Sequence, residues 1–301
     1  MKKIFLIAAA VSLTVVMTIL LSACRTEASI ESLLSAAWID NIGSNAEQNS
    51  FYDVYGTSDG ERKLIGLMNM TVKYYKNEKV SGFSREENNF TGNRTGYTVD
   101  MRKDGKRVEI RSEAFFSNAK PFAPLYSYKE VKEDGGLVYE IKAEYSGKNY
   151  EYTLTDVGGT RSGKIKLSGV YFDNEMIFAL IRSCPLDDGG SNLDFSFNVP
   201  SPLDDPQKLT AMKVSNLTGG AVEYQKYSLN REEYDEETNV ISVTNALHFK
   251  YASAENGNGG LETYYAKLGG YPLGGFVDET YIPVFIKQNG IEYVFCKNKA
   301  D

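Results

Sequence analysis

Histidine and tryptophan each occur once in this 301-residue chain, and cysteine three times. A lone His248 excludes a metal site built from several histidines and leaves any His-dependent triad a single candidate. That residue alternates with Leu247 and Phe249 in a strand-like pattern, and no Gly-x-Ser-x-Gly nucleophile elbow occurs. The ordinary reading is a strand histidine facing solvent. No Cys-x-x-Cys pair exists, which removes zinc ribbons and thioredoxin-like chemistry. Proline is scarce, no Pro/Ser-rich linker divides the chain, and no internal repeat is visible. Positive charge is in deficit, 33 Lys+Arg against 40 Asp+Glu, for a net −7. An acidic surface argues against nucleic acid or anionic lipid as the main partner.

Long apolar runs are also missing, with one exception. Lys2 and Lys3 precede an uncharged run over residues 4–21, which stops at Leu21-Ser22-Ala23-Cys24. A basic segment, an apolar stretch and small residues before a cleavage point are the marks of a secretory signal. The last four residues resemble the lipobox of bacterial lipoproteins. That resemblance implies cleavage before Cys24, acylation of its thiol and amine with palmitate-type chains, and anchoring on the extracytoplasmic face of the cell membrane or outer membrane. An uncleaved anchor is the alternative, because eighteen residues reach the lower limit of a spanning helix. One acyl chain binds membranes only marginally, so a lasting anchor needs the two or three that the resemblance implies.

Removal of residues 1–23 takes both lysines with it and leaves a chain of net charge −9. Residues 24–50 read as a tether with one weak helix over 30–38. The stretch Ser29-Ile30-Glu31-Ser32-Leu33-Leu34-Ser35 is similar to those following the lipid cysteine in some bacterial lipoproteins. Residues 51–301 read as the folded body, with a candidate sub-boundary near 186–206 at Pro200-Ser201-Pro202 and Asp204-Asp205-Pro206. Cys184 and Cys296 remain in this body. Export permits them to form a disulfide, and two buried free thiols are the alternative.

The body is rich in Tyr (21) and Phe (15), and its hydrophobic pattern has period two, broken by Gly-containing turns. That combination predicts β-structure. One hairpin is predicted around Ser146-Gly147, pairing Ala143 with Tyr150, Ile141 with Tyr152 and Tyr139 with Leu154, with Lys142 opposite Glu151 on the reverse face. A second is predicted around Asn289-Gly290, pairing Ile286 with Tyr293, Val284 with Phe295 and Lys287 with Glu292. Asp104-Gly105 would pair Met101 with Val108 but also Arg102 with Arg107, and the like charges point to a longer loop. Further strands are expected over 64–75, 97–102, 108–116, 126–131, 165–167, 193–199, 212–217, 222–229 and 240–251. One helix is predicted over 174–183, capped by Asp173 and stopped by Pro185, with Met176, Ile177, Leu180 and Ile181 on one face against a sheet.

Short turns between most strands favour a large, mainly β, antiparallel sheet, strongly curved or an open half-barrel, with one or two short helices. The stretch from Asp173 to Arg182-Ser183-Cys184-Pro185-Leu186, set between β-meanders, resembles half-barrel envelope proteins of the lipoprotein-carrier type. Those bind acyl chains in the concave face, which makes Met176, Ile177, Leu180 and Ile181 the candidate ligand-facing residues here.

Other motifs are weak. Gly158-Gly159-Thr160-Arg161-Ser162-Gly163-Lys164 matches most of a phosphate-binding loop, but Ile165 stands where magnesium needs Ser or Thr, and a strand follows instead of a helix. The acidic clusters at 187–188, 204–205 and 232–237 lack the order of a calcium loop. The doublets Tyr74-Tyr75, Phe115-Phe116 and Tyr264-Tyr265 should each put one ring in the core and one outside. No metal, cofactor or catalytic residue is expected. The function expected is non-catalytic binding of a small or apolar ligand. An envelope interaction module, or a hydrolase using two of the carboxylates, are the alternatives.

Overall fold

The computed structural model describes residues 30, 34–35, 38–39, 44–58, 60–82, 86–117, 122–186, 193–217, 225–228, 240–243, 246–254, 260–267 and 281–300. The chain runs through β1 (Glu47–Ser58), β2 (Glu61–Ser81), β3 (Glu86–Lys103), β4 (Lys106–Phe116), β5 (Pro124–Glu133), β6 (Gly136–Ser146), β7 (Asn149–Asp156) and β8 (Gly159–Lys166). A 3₁₀ turn, Asn174–Met176, then leads into helix α1 (Ile177–Arg182). The second half contains β9 (Phe195–Pro200), β10 (Leu209–Asn216), β11 (Gln225–Ser228), β12 (Val240–Val243), β13 (Leu247–Ser253), β14 (Leu261–Lys267), β15 (Tyr281–Gln288) and β16 (Ile291–Ala300).

Fourteen strands form one antiparallel sheet in the order β8-β7-β6-β5-β4-β3-β2-β1-β16-β15-β14-β13-β10-β9, while β11 and β12 pair separately. A sheet this wide must curl. Register shifts between Phe51 and Tyr52, Val54 and Tyr55, Phe115 and Phe116, Val131 and Lys132, and Tyr264 and Tyr265 supply bulges that bend it. Its two ends nearly meet. Tyr171, just after β8, bridges Asn198 of β9, whose N–H donates to Val170 O at 2.9 Å. The result is a barrel-like shell interrupted between β8 and β9, which agrees with the mainly β, curved antiparallel architecture read from the sequence.

The Asn289-Gly290 hairpin forms as expected, with Ile286 opposite Tyr293 and Lys287 opposite Glu292. Both turn residues have positive φ, 51° and 76°, as a two-residue turn of that kind requires. The β6–β7 hairpin slips by two. Its loop is Gly147-Lys148, so Ala143 faces Tyr152, Ile141 faces Leu154 and Tyr139 faces Asp156. Gly147 takes φ +60° at the first loop position, the glycine-specific place of a type II′ turn. An even slip keeps every apolar side chain on its intended face, but Lys142 now pairs with Glu140 and Glu151 with Lys164. Asp104-Gly105 is a two-residue loop after all. Arg107 sits opposite Arg102 because Asp100 takes its guanidinium through two hydrogen bonds, of 3.0 and 2.7 Å.

Several other expectations are corrected. The tether is shorter than residues 24–50, because β1 begins at Glu47 and Ile30, Leu34, Trp38 and Ile39 are all buried in the main core. Ser35 N–H donates to Ser183 O at 2.8 Å, and Trp38 Nε1–H donates to Ser183 Oγ at 3.0 Å. The Arg182 guanidinium lies 3.8 Å from the Trp38 ring centre. The proline loop between β9 and β10 does not separate two sheets, since these strands pair across it within the one sheet. Cys184 and Cys296 are not joined; both are buried, unbridged thiols. Cys184 Sγ faces Leu180 O in the helix and Cys296 Sγ faces Phe51 O in the sheet, and burial pushes the Cys184 thiol up to about 12.

Phe115 and Phe116 are both buried, because the far ends of β2 and β3 fold Tyr75, Val80 and Phe90 over the outer side of Phe115. The span 240–251 is two strands, β12 and β13. The phosphate-loop-like stretch is mostly β8. Residues 187–188 and 232–237 lie outside the described residues.

The predicted helix forms as the 3₁₀ turn plus α1, and Asp173 caps it by accepting from Glu175 N–H at 2.9 Å. It is buried on all sides, not along one stripe. From its capped start near the middle of the shell it runs to Arg182, whose Nη1 donates to Gln48 Oε1 at 3.0 Å near the start of β1.

Candidate functional site

Two cavities flank the start of this helix. The first, about 250 Å³, lies beside the seam between Ser127–Lys129 of β5, Tyr139 and Ile141 of β6, Tyr150 of β7, and the loop after β9. The second, about 230 Å³, is lined by Met68, Val99, Ile110, Val131, Tyr251, Ile286 and Tyr293 from the inner face, and by Ile177 and Phe178 of α1. Lys129, Tyr139 and Asn174 belong to both and form their common wall. Each volume lies a little below the ~300–1,000 Å³ usual for a ligand site.

The common wall is held by one polar network. Lys129 Nζ donates to Glu175 Oε1 at 3.0 Å and to Tyr97 OH at 3.2 Å. Tyr97 OH donates to Glu175 Oε2 at 3.0 Å, and Ser112 Oγ donates to the same oxygen. Asn174 steadies Glu175 from its Nδ2 and accepts from Tyr251 OH at 2.8 Å. Beside it, Asp173 accepts from Tyr145 OH at 2.6 Å.

Burial by itself would raise the Glu175 carboxyl and lower the Lys129 ammonium. The pair outweighs burial in each case, holding Glu175 below the usual carboxylate range and Lys129 well above the usual lysine range. Asp173 goes the other way, raised by burial and by the Glu175 charge. Burial also raises the phenols of Tyr97, Tyr145 and Tyr251, which therefore stay protonated donors.

A lysine held this firmly protonated is a poor nucleophile. Asp173 and Glu175 line the first cavity with pKa values pushed apart, but one caps a helix and the other neutralises Lys129. Among the described residues no group of three or more His, Cys, Asp and Glu side chains is placed to hold a metal. His248 stacks on Tyr264 at 4.1 Å and meets Glu262 at 3.2 Å, outside both cavities.

Of the four predicted ligand-facing residues, Ile177 lines the second cavity. Met176, Leu180 and Ile181 are instead packed in the core, at 1–2 % exposure. Cys24 lies outside the described residues. Sequence reading missed Lys129, Glu175, Tyr97, Tyr139 and Asn174. The available signals were an acid at the head of an otherwise apolar helix, and a lysine sharing its strand face with Ser127 and Val131.

No family model and no curated protein matches the chain. Among solved structures, a β-barrel-like protein of a domain of unknown function from Brucella abortus is similar, with a TM-score of 0.49 and 8 % identity over 86 % of this chain and 99 % of that one.

Proposed function

We propose that this chain is an extracytoplasmic binding protein, anchored in the membrane through acylated Cys24, that holds a small, partly apolar ligand in the paired cavities. The observation that carries the reading is the common wall. Its charged groups satisfy one another, so a ligand placed there meets tyrosine rings, aliphatic surface and already paired polar groups in similar measure, and no uncompensated charge. A preformed concavity in which a few polar groups converge is a usual form of a small-molecule site. The commitment of Asp173 and Glu175 to structural partners favours binding over hydrolysis. The large apolar side chains that remain exposed, among them Leu64, Val138, Val157, Leu203 and Leu217, are spread over strands and turns and favour a ligand over a broad protein interface.

Native mass spectrometry of protein purified from its own membranes tests the reading. A bound mass should be retained by the parent and lost by Val131→Phe, which narrows the second cavity, while thermal melting confirms that the variant is folded. Bare protein mass in both, with no melting shift on adding a lipid extract, would remove the ligand. For the anchor, Cys24→Ser should abolish labelling by palmitate, and unchanged labelling would end the lipoprotein reading.

A further inference from the structure

The shell has two unlike ends. At one lie the tight turns 104–105, 134–135, 157–158 and 289–290. At the other lie the start of β1, the far ends of β2 and β3, the β4–β5 connection closed by Ser117 N–H to Ala123 O, and the 147–148 turn. The second cavity belongs to the turn end, since Gln288 and Asn289 line it. The amino-terminal segment belongs to the opposite end. Trp38 and Ser35 bond to Ser183 beyond α1, Arg182 reaches Gln48 at the start of β1, and Asn45 N–H donates to Tyr74 O. Ile30, Leu34, Trp38 and Ile39 plug that end.

We propose that the shell stands on its plugged end against the lipid bilayer, with the second cavity opening away from the membrane. This rests on the acylation of Cys24 proposed above. Five residues separate Cys24 from Ile30, and the six Cα steps between the two span at most ~20–22 Å fully extended. From Val108, near the turn end, to Phe116 at the plugged end, β4 rises roughly 25–30 Å. The tether is shorter than the shell is tall, so the turn end cannot be brought down onto the bilayer. Charge adds little to the choice. Lys76 and Lys79 are exposed at the plugged rim, but Glu78 and Glu86 lie beside them. The ligand is therefore delivered from the aqueous side, not drawn directly from the leaflet underneath.

Fluorophores on Lys76→Cys at the plugged rim and on Val157→Cys at the turn end read the orientation. The native Cys184 and Cys296 thiols are buried, and Cys24 is blocked by its acyl group. The full acylated protein is placed in phosphatidylcholine–phosphatidylglycerol vesicles carrying a nitroxide on the lipid headgroup. Quenching should be several-fold greater at position 76 than at 157. Equal or reversed quenching on protein that co-sediments with vesicles overturns the orientation and leaves the anchor standing. Protein that does not co-sediment ends the anchor reading, and the orientation falls with it.

Discussion

Glu175 accepts from Lys129, Tyr97 and Ser112 in an interior that is otherwise mostly aromatic and aliphatic. Removing one partner of such a buried pair strands the other charge out of water, at a cost of about 3–5 kcal/mol. Glu175→Gln should therefore lower unfolding stability by that amount at neutral pH, measured by urea denaturation; a loss below ~1 kcal/mol would show the pair to be solvated. Glu175 is held below its ordinary 4.5, so its contribution is present above that value and fades as pH falls through the lower folded pKa. Lys129 is held above 10.5, so its contribution is full below that value and fades only as pH rises through the higher folded pKa. The Glu175→Gln difference should thus be fully present near neutral pH and shrink in acid, as the parent's Glu175 takes up its proton. The Asp173 cap was legible in the sequence because capping is a local rule. The Lys129–Tyr97–Glu175 network was not, because its members come from β5, β3 and the helix start and no spacing connects them.

At the scale of elements, the Asn289-Gly290 hairpin was read correctly, because its turn dipeptide fixes both φ angles and no like charges oppose each other beside it. The β6–β7 register was read two residues out because Ser146-Gly147 and Gly147-Lys148 leave the same side chains facing inward, and only the backbone of Gly147 chooses between them. The Arg102–Arg107 repulsion was overvalued, since the screening residue Asp100 sits a diagonal away. The helix was placed correctly, but its surroundings were not. A single apolar stripe suggested one sheet beneath it, whereas the shell wraps around it and buries Phe178, Ala179 and Arg182 as well. Leu180, at 2 % exposure, is solid core. Leu180→Ala should cost about 2–5 kcal/mol by thermal or urea unfolding, and a much smaller loss would mean that this part of the helix borders empty space.

Over the whole molecule, the mainly β, curved antiparallel architecture followed from periodicity and turn spacing. The placement of the amino-terminal segment did not, because a short helix in a polar stretch looks like a linker until the surface it covers exists. Ile30, Leu34, Trp38 and Ile39 bury four large side chains against Ser183 and the inner sheet. A chain shortened to begin at Ser44 should bind a hydrophobic dye and melt well below a chain that begins at Cys24. Loss of the Trp38 side chain alone is worth about 3–5 kcal/mol. Unchanged melting would restore the segment to the role of a simple tether.

β1 pairs with β16 at the middle of the sheet order, so the first strand made and the last made are neighbours. Each half of the chain can zip outward from its own hairpins, β1 to β8 on one side and β16 to β9 on the other. The ladder that joins them spans nearly the full length of the chain, and contacts so distant in sequence form slowly. Until β16 is available, β1 presents an unpaired edge, with Tyr52 and Val54 open to whatever strand comes first. A chain made amino terminus first therefore waits with that edge uncovered, and its safety from stray pairing depends on how quickly β16 follows.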